Sequence, residues 1–149
     1  KAREEMSLAA LEAGICINNS SVTLVHGMSR PIGALFHVPH GMSNAMLLKT
    51  CLEFALDGAY DRFADLARAI GAAAESDSDE KAANRLIGEI EKLCQTCQVP
   101  TITGYGIDKE QFLASVEKMA EDAVASGSPA NTRKTVTKED CIRLYQSMV

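Results

Sequence analysis

The sequence predicts an all-α fold. Apolar residues recur every three to four positions through each long segment, the spacing of one helix face. The one stretch whose composition allows a strand, TITGYGI at 101–107, holds two glycines and reads as a loop. No strand-like segment alternates with a helical one, and neither G-x-G-x-x-G after a strand nor G-x-x-x-x-G-K-[ST] occurs, so the chain cannot build a nucleotide-binding sheet by itself.

The elements follow in order. From Lys1 to about Asn18, residues Met6, Ala9, Ala10, Ala13, Ile15 and Ile17 recur at helical spacing with charge confined to the first turns, which predicts a helix entering a crowded interior. Asn19, Ser20 and Ser21 offer caps for a second helix through VTLVHGMSRPIGALF. Pro31 inside that run opposes the carbonyl of Gly27 and removes a donor, so a bend or break is expected between them. After the HVPHG loop, a third helix should run from near His40 to about Leu56, because Pro39 disfavours helical geometry at Val38. Asp57 and Gly58 interrupt it. A short amphipathic helix then presents Tyr60, Phe63, Ala64, Ala67 and Ile70 on one face and ends at Gly71.

The small, acidic stretch AAAESDSDEK is a surface connection, and Asp77 with Glu80 marks the start of a helix carrying Leu86, Ile87, Ile90 and Leu93 that stops before Pro100. Asp108 and Gln111 open a helix through Phe112, Val116, Met119 and Val124, closed by ASGSP. A last helix begins near Thr137 with Ile142, Leu144 and Tyr145. The total is six or seven helices, with no internal repeat and no low-complexity tract.

At 149 residues the chain fits a single helical domain able to bury its own core. A net charge of -5, a pI near 5.2 and the lack of a basic block argue against nucleic acid as a partner. No run of about 18 uncharged apolar residues exists, and Glu4 and Glu5 stand where a signal peptide needs an apolar core; no membrane partner and a cytoplasmic location are expected. Five cysteines, Cys16, Cys51, Cys94, Cys97 and Cys141, lie in apolar, helix-like stretches, which predicts buried, reduced thiols. Cys94-x-x-Cys97 has no second pair and no nearby histidine, so packing is the reading. Lys1 falls in mid-helix by pattern, from which the chain is expected to be part of a longer polypeptide.

All three histidines lie in LVHGMSRPIGALFHVPHGMSNAMLL, residues 24–48. A lone histidine on an apolar helix is usually a hydrogen-bonded core residue. Here His26 sits among small residues and His40 follows a proline at the start of the next helix, so a short turn can bring the two together. A borderline divalent cation takes imidazole nitrogen but needs three or four ligands, and this segment offers two good ones. His37 is read as a structural residue beside them.

The stretch EAGICINNSSVTLVHGMSRPIGALFHVPHGMSNAMLL closely resembles the metal-binding region of the iron-containing alcohol dehydrogenases, with its H-x-M-[AS]-[HR]-x-[IL]-G and P-H-G-x-x-N-A-x-L-L motifs. The likeness continues more weakly to the C-terminus. It implies the helical C-terminal domain of the dehydroquinate synthase-like fold. It also implies a divalent metal, usually Fe(2+), held by one aspartate and three histidines, the last two of which map to His26 and His40. The other two ligands and an α/β domain that binds NAD or NADP would precede Lys1, and an alcohol or aldehyde would be the substrate. Ile17, Asn18 and Arg30 are candidates for the cofactor or substrate wall. Arg30 stands where many members have a second histidine of the helix, Ile17 where the position is often aromatic, and Lys49 where a proline is common. A homo-oligomer is compatible with the resemblance. The glycerol-dehydrogenase and dehydroquinate-synthase branch typically uses zinc in a different histidine context, and both motifs argue against it. By length alone, a standalone helical interaction module with an incomplete metal site is the alternative.

Overall fold

Every long periodic segment is helical in the computed structural model, which describes residues 1–149 and contains no strand. The helices are α1 (Ala2–Asn19), α2 (Leu24–Phe36), α3 (His40–Ala55), α4 (Tyr60–Ala69), α5 (Asp79–Thr96), α6 (Lys109–Ala125) and α7 (Lys138–Gln146), with 3-10 turns at Leu56–Gly58 and Ser128–Asn131. The TITGYGI segment is a series of turns, as its glycines require.

Two apolar clusters hold the chain. In the larger one, α2, α3, α6 and α7 enclose Leu24, Met28, Ile32, Leu47, Phe112 and Tyr145. Phe112 meets Phe36 at 5.7 Å and the edge of Tyr145 at 6.0 Å between ring centroids, tilted and edge-on arrangements that suit the ring quadrupoles. The Tyr145 hydroxyl is fully buried and donates to the Met28 carbonyl at 2.6 Å, fastening α7 to α2. Burial pushes the Tyr145 phenol up and the Cys141 thiol to about 11, so both stay neutral in the core. The smaller cluster joins α4 and α5 through Phe63, Ala64, Ala67, Ala82, Ala83 and Leu86; alanines dominate, so these two helices lie close.

Several sequence expectations require correction. No residue of α1 is buried: Met6, Leu8, Leu11, Ile15 and Ile17 are all at least half exposed, because α1 leaves α2 at 110° and no other part of residues 1–149 covers it. No single helix is long and apolar enough to cross a membrane. The second helix is capped at Thr23, not at Asn19 to Ser21, and it passes through Pro31 without interruption. Packing on α3, α6 and the Ser128–Asn131 turn outweighs the one hydrogen bond that Pro31 removes. Ser78 rather than Asp77 caps α5, accepting from the Lys81 N–H; Asp77 instead accepts from the Ala74 N–H and pairs with Lys81 and Arg85. Ile70, Leu93 and Val124 lie on exposed faces, each beyond the reach of the neighbouring helix. All five cysteines are free, but Cys16 and Cys97 are exposed, since α1 is uncovered and α5 ends at Cys97. The caps at Asp108 and Thr137 form as their sequences require; Thr137 and Asp140 make a complete capping box.

Candidate metal centre

The tetrapeptide His-Gly-Met-Ser occurs twice, at 26–29 on α2 and at 40–43 on α3, a repeat on a scale far below that of a helix. In each copy the serine is fully buried and its hydroxyl donates to the carbonyl of the histidine three residues back, Ser29 to His26 at 3.2 Å and Ser43 to His40 at 3.0 Å. This local bond satisfies a polar group inside the packing and lets α2 and α3 approach closely. Gly27 removes bulk on the opposite side: a Cβ there would lie 2.7 Å from Cγ and Cδ of Pro129. The Ser128–Asn131 turn therefore seats directly on α2.

The consequence is a pair of facing imidazoles. The His26 and His40 ring centroids are 5.2 Å apart, with the planes at 56°. An imidazole bound at a metal–nitrogen distance of about 2.1 Å has its centroid about 3.2 Å from the metal, so two such rings at a tetrahedral angle stand about 5.2 Å apart. The observed spacing fits half of a four-ligand site. His26 is half buried, and that burial, then the neighbouring His40 and the Arg30 guanidinium, hold its imidazole below the ordinary value. A neutral ring with a free lone pair is the form a metal needs.

Asn44, one turn into α3, sets its side-chain amide 3.0 Å from His40 Nε2, a contact whose direction follows the tautomer of the ring. The other end of the same amide, Oδ1, is buried without a donor, an orphaned polar atom beside the ring pair. No third histidine, cysteine or carboxylate from residues 1–149 joins the two rings. The residues present thus fit one half of a metal site and not the whole of one.

The remaining candidates lie at different distances from this pair. His37 ends α2 in the left-handed conformation, φ 53°, with an exposed side chain. It shapes the turn that sets His40 opposite His26. Ile17 shares a cavity of about 350 Å³ with His26, Asn44, Val25, Leu48 and Leu52. Asn18 is exposed on α1, and it is Asn19 whose amide closes that helix by donating to the Ile15 carbonyl. Arg30, one turn after His26, donates from Nη1 to Ser128 Oγ at 3.1 Å. A second cleft of about 340 Å³, between α3, α5 and the C-terminal residues, contains Lys49 and Cys94 but none of the histidines. Asn44 and Ser128 are parts of the site that single-residue reasoning misses: the repeated tetrapeptide signals the two serines, whereas nothing local ties Ser128 to a residue 98 positions earlier.

Residues 1–149 match end to end the family model described as the C-terminal region of the Fe-containing alcohol dehydrogenase family. Lactaldehyde reductase of Escherichia coli K12 is 32% identical over 147 residues, 98% of this chain and 37% of that protein. 1,3-Propanediol dehydrogenase of Citrobacter freundii is 34% identical over 141 residues, 93% of this chain and 35% of that one. A crystal structure of 1,3-propanediol oxidoreductase superposes with a TM-score of 0.90 at 28% identity, over 99% of this chain and 38% of the other. The chain thus spans well under half the length of the relatives it matches.

Proposed function

Because this chain belongs to the Fe-containing alcohol dehydrogenase family, whose C-terminal region it matches throughout, we propose that it is the metal-holding helical part of a longer, cytoplasmic NAD(P)-dependent dehydrogenase. The enzyme interconverts a small alcohol and its aldehyde. The observation that carries this reading is the facing pair of His26 and His40 at a spacing that suits two ligands of one metal. When bound, a divalent metal such as Fe(2+) supplies a Lewis acid that makes an alcohol more acidic or a carbonyl more electrophilic.

The residues of this chain prepare that chemistry. His26 and His40 hold and orient the metal, and the serine three residues after each bonds to its backbone carbonyl. Asn44 sets the rotation of the His40 ring. Ile17, Val25, Leu48 and Leu52 give the adjoining cavity an apolar wall, which suits a short carbon chain. Relatives named for lactaldehyde and 1,3-propanediol support a small, doubly functional substrate. Ile17 and Asn18 contribute to the wall nearest the cofactor. No element of residues 1–149 provides a nucleotide-binding sheet, so the nicotinamide dinucleotide is bound by an α/β domain elsewhere in the polypeptide. The uncovered apolar side of α1, from Met6 to Ile17, and the two ligands still needed both favour a further segment packed against this domain. Five free thiols suit a reducing compartment.

The test is metal analysis beside nicotinamide-linked oxidation of 1,2- and 1,3-propanediol, using the native polypeptide that contains these residues. His26→Ala and His40→Ala should each lose metal and turnover together, and residues 1–149 alone should show no turnover. Full metal content and unchanged rates in both variants would overturn the assignment.

A further inference from the structure

The N-terminus of α2 is capped from a distance. Its own N-cap residue, Thr23, makes no side-chain bond to the helix. The first helical N–H, that of Leu24, instead donates to Thr132 Oγ1 at 3.2 Å, 108 positions along the chain. The residue beside Thr132 adds to this contact. Both hydrogens of the Asn131 amide are used, since Nδ2 donates to Ser21 Oγ and to the Val22 carbonyl, each at 2.9 Å. Asn131 and Thr132 therefore hold the elbow between α1 and α2 at three points.

A clip can position something only if it is itself fixed. Before it, Pro129 is buried against Gly27 of α2. After it, Arg133 Nη1 reaches both carboxylate oxygens of Asp61, at 2.9 and 3.0 Å, and Lys134 pairs with Asp57 at 2.7 Å. The Lys134 backbone lies so near Gly58 that a Cβ on that glycine would meet the Lys134 nitrogen at 2.9 Å. Residues 128–134 form a strap tied down on both sides of the clip.

The strap holds one wall of the cavity beside His26. Ser21, Val22 and Thr23 of the elbow line that cavity, with Ile17 before the elbow and His26 after it. No residue of α1 is buried, so within residues 1–149 the 110° turn between α1 and α2 depends on the elbow and not on packing along α1. Movement of the elbow carries Ile17 with it, whereas His26 and His40 are held by the packing of α2 on α3.

Resting on the dehydrogenase reading above, we propose that Asn131 and Thr132 are positioning residues that set the α1 wall against the metal site, and thereby how strongly the enzyme discriminates between alcohols of different chain length. Neither residue lines the cavity; both act through the elbow.

The native polypeptide, loaded with Fe(2+), is compared with three variants. Asn131→Ala removes two bonds, Thr132→Val keeps the shape and removes one, and Thr132→Ser keeps the hydroxyl. Hydrogen–deuterium exchange of residues 12–25, read by mass spectrometry, reports on the elbow and the end of α1. Steady-state kinetics with ethanol and butan-1-ol report on the wall. Asn131→Ala and Thr132→Val should each speed exchange across the elbow about 3- to 10-fold, the scale of a lost hydrogen bond. Metal content should stay at the wild-type level, since both histidines keep their places. Each of the two methylenes that separate the alcohols contributes up to about 4-fold when buried. A wall that moves off them should lower the ratio of kcat/KM for butan-1-ol to that for ethanol about 3- to 10-fold, with ethanol itself changing less than about 3-fold. Thr132→Ser should restore both readouts.

Faster exchange with an unchanged ratio would show that the clip holds the elbow but not the wall, and would overturn the proposal. Unchanged exchange in both variants, or equal losses for the two alcohols, would overturn it as well, and so would a wild-type enzyme indifferent to chain length. Faster exchange that reaches residues 12–19 in both variants, in a protein that oxidises neither alcohol, would support the clip and overturn the dehydrogenase reading instead.

Discussion

Replacing Gly27 by alanine sets two known effects against each other. Alanine gains about 0.5 to 1 kcal/mol over glycine inside a helix. Its methyl at this position would lie 2.7 Å from both Cγ and Cδ of Pro129, and the Ala123 carbonyl closes the space at 3.5 Å. Pro129 is a buried ring in a 3-10 turn and cannot swing away as a long side chain would. Overpacking of this kind costs about 1 to 3 kcal/mol. The net expectation is a loss of about 1 to 2 kcal/mol, a fall in melting temperature of about 2 to 8 °C for a chain of this size. Gly41 occupies the same place in the second His-Gly-Met-Ser and has nothing within 4 Å of an added Cβ. Gly41→Ala should therefore be neutral or stabilising by up to about 1 kcal/mol. Thermal and urea unfolding of residues 1–149, followed by circular dichroism, compares the two. If Gly27→Ala melts at or above the wild-type temperature, or Gly41→Ala falls as far as Gly27→Ala, the claim that Gly27 exists to seat the Pro129 turn is wrong.

Three further outcomes are expected. His37→Gly should keep the metal in the native polypeptide, unlike His26→Ala and His40→Ala, and raise stability by about 0.5 to 1 kcal/mol by relieving a left-handed histidine; metal analysis and melting curves decide both points. Tyr145→Phe removes the buried bond to the Met28 carbonyl and should cost about 1 kcal/mol, about 2 to 4 °C, which calorimetry can resolve. The Lys81 ammonium, then the Ala74 N–H, hold the Asp77 carboxyl below its ordinary value. As pH falls the unfolded chain takes up that proton first, so the contribution of Asp77 is complete above about pH 4 and is lost as pH drops through the lowered native value. Asp77→Asn should flatten the fall of melting temperature between about pH 5 and pH 3, and an unchanged slope would show that Asp77 contributes nothing.

Local chemistry was enough for the helices themselves. The 3.6-residue period, the caps at Asp108 and Thr137 and the glycines of TITGYGI act within a few residues, so the all-α class, the start of α3 at His40 and the absence of a strand follow from the sequence. The segment that carries both facing histidines was legible for the same reason, because one short turn joins them. Tertiary structure decided what depends on distant partners. Pro31 should interrupt a helix by local rules, and only the packing of α2 on three neighbours keeps it whole. Periodicity marks Ile17, Ile70 and Leu93 as apolar but cannot say whether anything covers them; in residues 1–149 each stays at least half exposed. The 5.2 Å between His26 and His40 arises where two helices cross, and Ser128 meets Arg30 across 98 residues of chain. Such contacts form when folding brings remote surfaces into register, and no window of sequence contains both sides of them.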